Sequence, residues 1–536
     1  MSAAYRRRPH FSFWSKVVLA VGLVALVDQL FHGPRSGATV GAAALAWTLC
    51  ALCVHRSIWF DRRAQAAMLV ATALALAMID QPSPVAWAMF WTALSLAALL
   101  PRTGRFDDVW RWGQRLVFHG VVTLVGPLLD AWRVWAVWQA RNRSLRLLAL
   151  AGALALPVVG GGIFLALFAT ANPVIAQALD RMRLPCLDIG RLIFWGFTGM
   201  TVWAVFRPRR LRRTFALFDP QASGLLPEVG VLSVGLSLVV FNLLFALQNG
   251  LDIAFLWSGA RLPDGLTLAE YAHRGAYALI LTALLAGLFV LAALRPDSAT
   301  ARTPAIRWLV TGWVAQNLFL VASSMLRTFD YIDAYSLTRF RIAALIWMGL
   351  VAVGLVLITW RMLRDRSAAW LLNANALAAV LVLGAISVTD LGEVAATWNV
   401  RHAREVGGRG VDLDLCYLRS LGASALIPLA KLEQRPLPPA FADRVRAVRR
   451  EGLTDLIAAQ ADWHEWTALG ARRLARLQTI LPAAERGSGF EVRGCYGEDA
   501  DPPPMIPAAP NPDQTPDSAS PATPPASPPL TSAAPH

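Results

Sequence analysis

Lysine is almost missing from this chain: of its 50 basic residues only Lys16 and Lys431 are lysine. Charge of either sign is scarce as well, at 16% of positions against 56% hydrophobic. Soluble domains carry about a quarter charged residues, so the composition excludes an ordinary soluble protein, whatever the length suggests. Familiar catalytic signatures are also missing. There is no G-x-x-x-x-G-K loop and no G-x-S-x-G turn, and His464-Glu465 runs into Trp466-Thr467-Ala468 instead of completing H-E-x-x-H. Their absence speaks against an ATP-driven pump or a zinc protease. No residue pattern calls for a metal or another cofactor. The first apolar run, Lys16 to Leu30, is not followed by a small-x-small cleavage site, so it reads as a membrane span and not as a removable signal.

What is there is apolar and comes in blocks. They cover roughly 16–31, 37–54, 64–80, 84–100, 145–170, 188–206, 229–249, 272–294, 305–326, 340–360 and 370–390. Each is close to the roughly 20 helical residues that a bilayer core requires. The stretch 116–138 is different. His119, Pro127, Asp130 and Arg133 interrupt it, and Trp132, Trp135 and Trp138 alternate with polar residues. It reads as an amphipathic helix lying in the interface.

Basic residues test this division. With eleven spans and the N-terminus inside, inner segments hold 26 Lys and Arg and outer loops hold 7. That is the positive-inside asymmetry. Letting 116–138 cross would flip everything after it and put Arg207, Arg209, Arg210, Arg212 and Arg213 outside. The net charge of +15 therefore follows the membrane, and nucleic acid is not expected as a partner. The lipid bilayer is.

The expected fold is all-α: a polytopic transmembrane bundle of about 11 spans over 1–390, with a small helical C-terminal extramembrane domain over 391–495. In that domain, proline at a helix start precedes Phe441 to Arg450, and a second helix runs from Thr454 to Leu481. A tail over 496–536 is expected to be disordered: residues 501–536 hold 13 of the 33 prolines and no Lys or Arg. The expected place is the inner (plasma) membrane, with the C-terminus extracytoplasmic. Cys416 and Cys495 then lie where disulfides persist and are expected to pair. Cys50-x-x-Cys53 reads as packing in a reducing compartment.

Polar residues gather in the second half of the membrane region. Asn242, Gln248, Asn249 and Asp252 close span seven, and Glu270, His273 and Arg274 open span eight. Gln316 and Asn317 lie in span nine, followed by Arg327, Tyr331, Tyr335 and Arg339 at steps of four. Ionisable groups at membrane depth are costly and by default line an interior or a cavity. The bland alternative is that Tyr331, Tyr335 and Arg341 anchor helix ends at the headgroups.

The same residues carry a resemblance. Phe218-Asp219-Pro220, Phe241-Asn242 to Gln248, Leu266-Thr267-Leu268-Ala269-Glu270-Tyr271-Ala272-His273-Arg274-Gly275, and Arg327-x-x-x-Tyr331-x-x-x-Tyr335-Ser336-Leu337-Thr338-x-x-Arg341 resemble bacterial membrane proteins of domains of unknown function 4173 and 4153. So do Trp398-Asn399-Val400 and Leu413-Asp414-Leu415-x-Tyr417-Leu418. The resemblance spans about 140–435. The chain departs from it with His273 for a usual Arg and Ser336 for a usual Gly. It implies a multi-pass helical protein and no established activity.

Asp252, Glu270, Arg274, Arg327, Tyr331 and Arg339 are expected to converge at one membrane surface. Three arginines against two carboxylates suit an anionic small molecule or lipid headgroup. Three functions stay open. The first is a transporter-like protein with an outer-facing polar site. The second is a scaffold or signalling protein whose outer helical domain binds another envelope protein. The third is a membrane-embedded enzyme on a lipid-linked substrate, with Glu270 as base and Arg327 holding phosphate.

Overall fold

The computed structural model describes residues 12–31, 36–103, 107–141, 189–209, 230–258, 302–408 and 410–486, with scattered positions in 157–172 and at 285 and 289. Among them the chain is helical throughout, without strands. The membrane part comprises α1 (Phe13–Phe31), α2 (Thr39–Val54), α3 (Arg62–Asp80), α4 (Pro84–Thr103), α5 (Val109–Arg141), α6 (Ile189–Phe206), α7 (Val231–Asp252), α8 (Pro304–Tyr335), α9 (Arg339–Leu363) and α10 (Ala368–Val388). Nine of the described helices are long and apolar enough to cross a bilayer, and α2 is a shorter apolar helix. The chain is a multi-pass membrane protein. The sequence blocks at 145–170 and 272–294 lie mostly or wholly outside the described residues.

Two apolar cores divide the membrane part. The first joins α1 to α4 and α6, with Trp112 and Leu116 of α5 against it. It is packed through small residues: Ala44, Ala51, Ala64, Ala71, Ala75, Ala86 and Ala97 are fully buried. Gly41 lets α2 meet α3, since a Cβ there would stand 2.5 Å from Ile79 Cγ1 and 2.6 Å from the Ala75 oxygen. Close backbone approach through small residues is how helices gain packing energy where lipid removes the hydrophobic drive. The second core joins α7 to α10 around Leu238, Val310, Trp313, Val314 and Leu355.

Contacts sort the helix ends into two sides. At one, Lys16 donates to the Phe206 carbonyl at 3.1 Å, His55 meets the Val205 carbonyl at 2.7 Å, and Arg102 meets Pro208. At the other, Arg191 grips Asp28 (Nε to Oδ1 3.0 Å) and the C-terminal domain docks. There the Gly37 and Ala38 N–H groups donate to the His464 and Trp466 carbonyls, both at 2.7 Å, and Arg472 pairs with Asp80 at 2.7 Å.

Helix α5 meets the start of α10 and the end of α6, and between these contacts its His119 ring stacks on Trp91 of α4 at 5.6 Å. Its first residue donates to Asn373 of α10 at 2.8 Å. Some 20 residues on, about 30 Å along a helix, Asp130 accepts from Arg209 at 2.8 Å and from Trp203 Nε1 at 3.1 Å, beside the end of α6. Val117, Val121, Leu124, Leu128 and Trp132 stay exposed along it.

The C-terminal domain comprises α11 (Leu391–His402), α12 (Leu415–Ser420), α13 (Leu426–Leu432), α14 (Pro439–Ala461) and α15 (Ala468–Ile480). Helix α13 is its centre, buried everywhere but at Lys431. Pro439 opens α14 as expected. The expected helix from Thr454 to Leu481 is corrected. Thr454 lies inside α14 and donates to the Arg450 carbonyl, the chain turns at Asp462 to Trp466, and Thr467 caps α15. Asp462 folds back on the His464 N–H at 2.9 Å, and this local bond competes with helix continuation. Arg449, fully buried, locks α14 to Glu433 at 2.9 Å and to Glu485. The 496–536 tail lies outside the described residues.

Candidate functional site

Helices α7 and α8 run parallel and are zipped by polar side chains. Asn242 donates to the Leu309 carbonyl at 3.0 Å, Asn249 to the Gln316 carbonyl at 3.2 Å, and Trp257 Nε1 to Ser323 Oγ at 3.1 Å. Each bond lies further along both helices than the last. Gln316 closes one layer by donating to Asn242 Oδ1 at 2.8 Å. Gly312 leaves room for that amide, since a Cβ there would stand 3.4 Å from the same oxygen.

Two members of the expected site meet at the top of this zipper. Asp252 is fully buried, Arg327 is 6% exposed, and the guanidinium contacts Asp252 Oδ1. Gln248 donates to the same oxygen at 3.0 Å. Directly after Asp252 the backbone widens into a π-helical turn, Ile253–Trp257. Such turns recur where function bends a helix. Here it brings the Trp257 indole onto Ser323, one turn before Arg327.

The other expected members part company. Tyr331 stays on α8 above Arg327, with its ring 4.7 Å from Tyr335 and under the Arg341 guanidinium at 4.4 Å. Arg339 is not on that stripe. Helix α8 ends at Tyr335, and Ser336 takes φ 67° and ψ 166°, which breaks the four-residue step. Arg339 opens the next helix and faces the C-terminal domain: its N–H donates to Tyr417 Oη at 2.9 Å, and its guanidinium lies 3.5 Å from Ser424 Oγ. Glu270 and Arg274 lie outside the described residues.

The motif around Ser336 builds a joint. Leu337 and Asn399 exchange two hydrogen bonds, at 2.7 and 2.9 Å. Arg341 donates to the Tyr335 carbonyl at 2.6 Å, and Asp414 caps α12, which carries Tyr417. Beside it Asp390 caps α11 and accepts from Ser424 at 2.7 Å and from Arg473. Burial alone would raise the Asp390 pKa. The Ser424 and Arg473 hydrogen bonds, the Arg473 charge and the Gly392 N–H together outweigh burial and hold the carboxyl below its usual range. Gly392 admits Arg339, whose Nη2 would stand 2.4 Å from a Cβ there.

Of the six expected residues the structure brings Asp252 and Arg327 into contact, and beside them stand Ser323 and Trp257, which the expected set leaves out. The spacing of Ser323 four before Arg327 is a usable signal; Trp257 offers none, because only the π turn sets its indole against Ser323. Cys416 is disulfide-bonded, and Cys50 and Cys53 are free thiols as expected. Cys495 lies outside the described residues. Among the described residues no cluster of His, Cys, Asp and Glu has the makings of a metal site.

An all-helical bundle with a buried ion pair between parallel helices and a docked extramembrane domain defines a class, the polytopic helical membrane proteins. Within it, the chain belongs to the family Domain of unknown function (DUF4153), whose profile matches residues 40–432. The match begins well before residue 140, where the resemblance was expected to start, so it takes in the first apolar core from α2 onward. No curated protein and no solved structure matches the chain.

Proposed function

We propose that this is a transporter-like protein whose ligand enters from the side carrying the C-terminal domain and meets Arg327. The observation that carries the reading is the Asp252–Arg327 pair, buried inside an apolar bundle beside a π turn. A charge at membrane depth is retained against a cost of several kcal/mol. A pair that serves only packing can be replaced by apolar residues without that cost. An anionic ligand, a carboxylate or a phosphate headgroup, competes with Asp252 for the guanidinium fork.

The test is a thermal-shift screen of the purified protein against carboxylates, phosphate and short-chain anionic phospholipids. At least one anion is expected to raise the midpoint of the native protein. It should fail on the Asp252→Asn, Arg327→Gln double variant, which keeps the shape of the pair without its charge. Equal response of both proteins to every anion would overturn the reading.

The proposed topology has the N-terminus cytoplasmic, the C-terminal domain extracytoplasmic and eleven crossings, with α5 in the interface. The contacts at both ends of α5 and the parallel run of α7 and α8 support it, since parallel neighbours need a return crossing between them. Alkaline phosphatase fused after Ser258 is expected to be active, and fused after Arg209 to be silent. Cys495 is the proposed partner of Cys416. Non-reducing peptide mapping should recover the two joined, and recovery of Cys416 with Cys186 would displace that pairing.

A further inference from the structure

A primary amide brings two N–H donors and one carbonyl oxygen, and buried amides satisfy both ends. In three amides of the α7–α8 seam, Asn249, Gln316 and Asn317, only the donor ends are satisfied. Asn249 donates to the Gln316 carbonyl at 3.2 Å, Gln316 to Asn242 Oδ1 at 2.8 Å, and Asn317 to the Trp313 carbonyl at 2.8 Å. Asn249 Oδ1, Gln316 Oε1 and Asn317 Oδ1 are buried and accept nothing. Asn249 and Asn317 are themselves 7% and 1% exposed.

Reversing the amides does not help. A reversed Asn249 or Asn317 would set its oxygen against a main-chain oxygen. A reversed Gln316 would set its own against Asn242 Oδ1, and the Asn242 amino group is committed to the Leu238 and Leu309 carbonyls at 2.8 and 3.0 Å. The hydrogen-bond partners therefore fix three bare acceptors on adjoining positions of two helices. Asp252 and Arg327 sit one layer beyond Asn249, toward the C-terminal domain.

We infer that this layer binds a monovalent alkali cation of the sodium class. Hard cations are held by oxygen, and the bare atoms are all oxygen. They are acceptors only, so the layer itself repels an anion. A divalent ion calls for carboxylate charge, and the nearby carboxylate, Asp252, already carries Arg327. The inference rests on the transporter reading only for how the ion enters: when an anion draws Arg327 away, Asp252 is released beside the amide layer, so that cation and anion bind together.

The experiment uses the full-length protein in detergent at constant ionic strength. Sodium, lithium or potassium chloride replaces choline chloride stepwise, and the thermal midpoint is read. One alkali cation is expected to raise the midpoint by several degrees along a saturating curve. Asn317→Leu and Gln316→Leu, which remove the oxygen at similar size, are expected to abolish the rise. Identical midpoints in all four chlorides, together with no displaceable radioactive sodium on the native protein, would overturn the inference and leave the oxygens to water. The radioactive sodium measurement also decides the case if both variants fail to fold. Persistence of the cation response in the Asp252→Asn, Arg327→Gln variant, with anion response lost or never present, separates the fate of this site from that of the transporter reading.

Discussion

The two halves of the membrane region solve the same packing problem with different materials. The first core closes on alanine and glycine, and its charged contacts with α6 gather at the two ends of that helix, Asp28–Arg191 at one and Asp130 with Arg207 and Arg209 at the other. The second carries Asn242, Gln316, Asn249, Asp252 and Arg327 along the seam of α7 and α8. Lipid penalises an unpaired polar group anywhere along a span. The first half also buries unpaired groups, Ser95 Oγ and His119 Nε2 among them, so what sets the seam apart is its buried Asp252–Arg327 pair and its run of acceptor oxygens, on which the proposed ligand site rests.

The sharpest way to break this comparison is Arg327→Gln. It strands the Asp252 carboxylate, and a loss of about 3–5 kcal/mol is expected, read as a fall in thermal midpoint. The Asp252→Asn, Arg327→Gln double variant should recover most of it. Full stability of the single variant would show that the seam is not under electrostatic load.

Gly41→Val tests the first core. The side chain would drive α2 off α3, with an expected cost of about 1–3 kcal/mol and no change in the response to alkali cations. A changed response would tie the first half to the site.

Ser336→Gly probes the joint between the second half and the C-terminal domain. At φ 67° and ψ 166° a residue with a Cβ is strained by about 1–3 kcal/mol. Glycine, the usual residue in the related motif, is expected to raise the midpoint. No gain would mean that the serine hydroxyl compensates.

The contacts of Asp390 with Ser424 and Arg473 should also respond to acid. Because the folded Asp390 pKa is lowered, its contribution is complete above the unfolded carboxylate value of about 4. It is lost as pH falls through the lower folded value. Limited proteolysis across pH 5 to 3 should show the domain loosening in the native protein and less change in Asp390→Asn. Arg472→Ala, at the exposed contact with Asp80, is expected to cost under about 1 kcal/mol; a larger fall would make that contact a principal tie between the domain and the first half.

Much of the architecture was readable in advance. Block length reported most of the described membrane helices, because hydrocarbon admits only apolar helices of a given length. The pairing of Asp252 with Arg327 was legible as two costly charges near one surface. Arg339 leaves the expected group because Ser336, with one positive φ, ends the helix before it. Thr454 before Asp455 reads as a cap in the sequence, because that pair fits the role in a loop. Inside α14 its hydroxyl has the Arg450 carbonyl to bond instead.

The sequence by itself determined that this protein lives in a bilayer, that its body is helical and that its second half holds the polar residues. These follow from composition and period, which act residue by residue. Only the tertiary structure decided that α7 and α8 run parallel, that the amides of one meet the backbone of the other and leave three oxygens bare, and that the motif after Tyr335 fastens the C-terminal domain. Those outcomes depend on register between distant segments and on single backbone turns at Ile253–Trp257 and Ser336, and no local pattern encodes them.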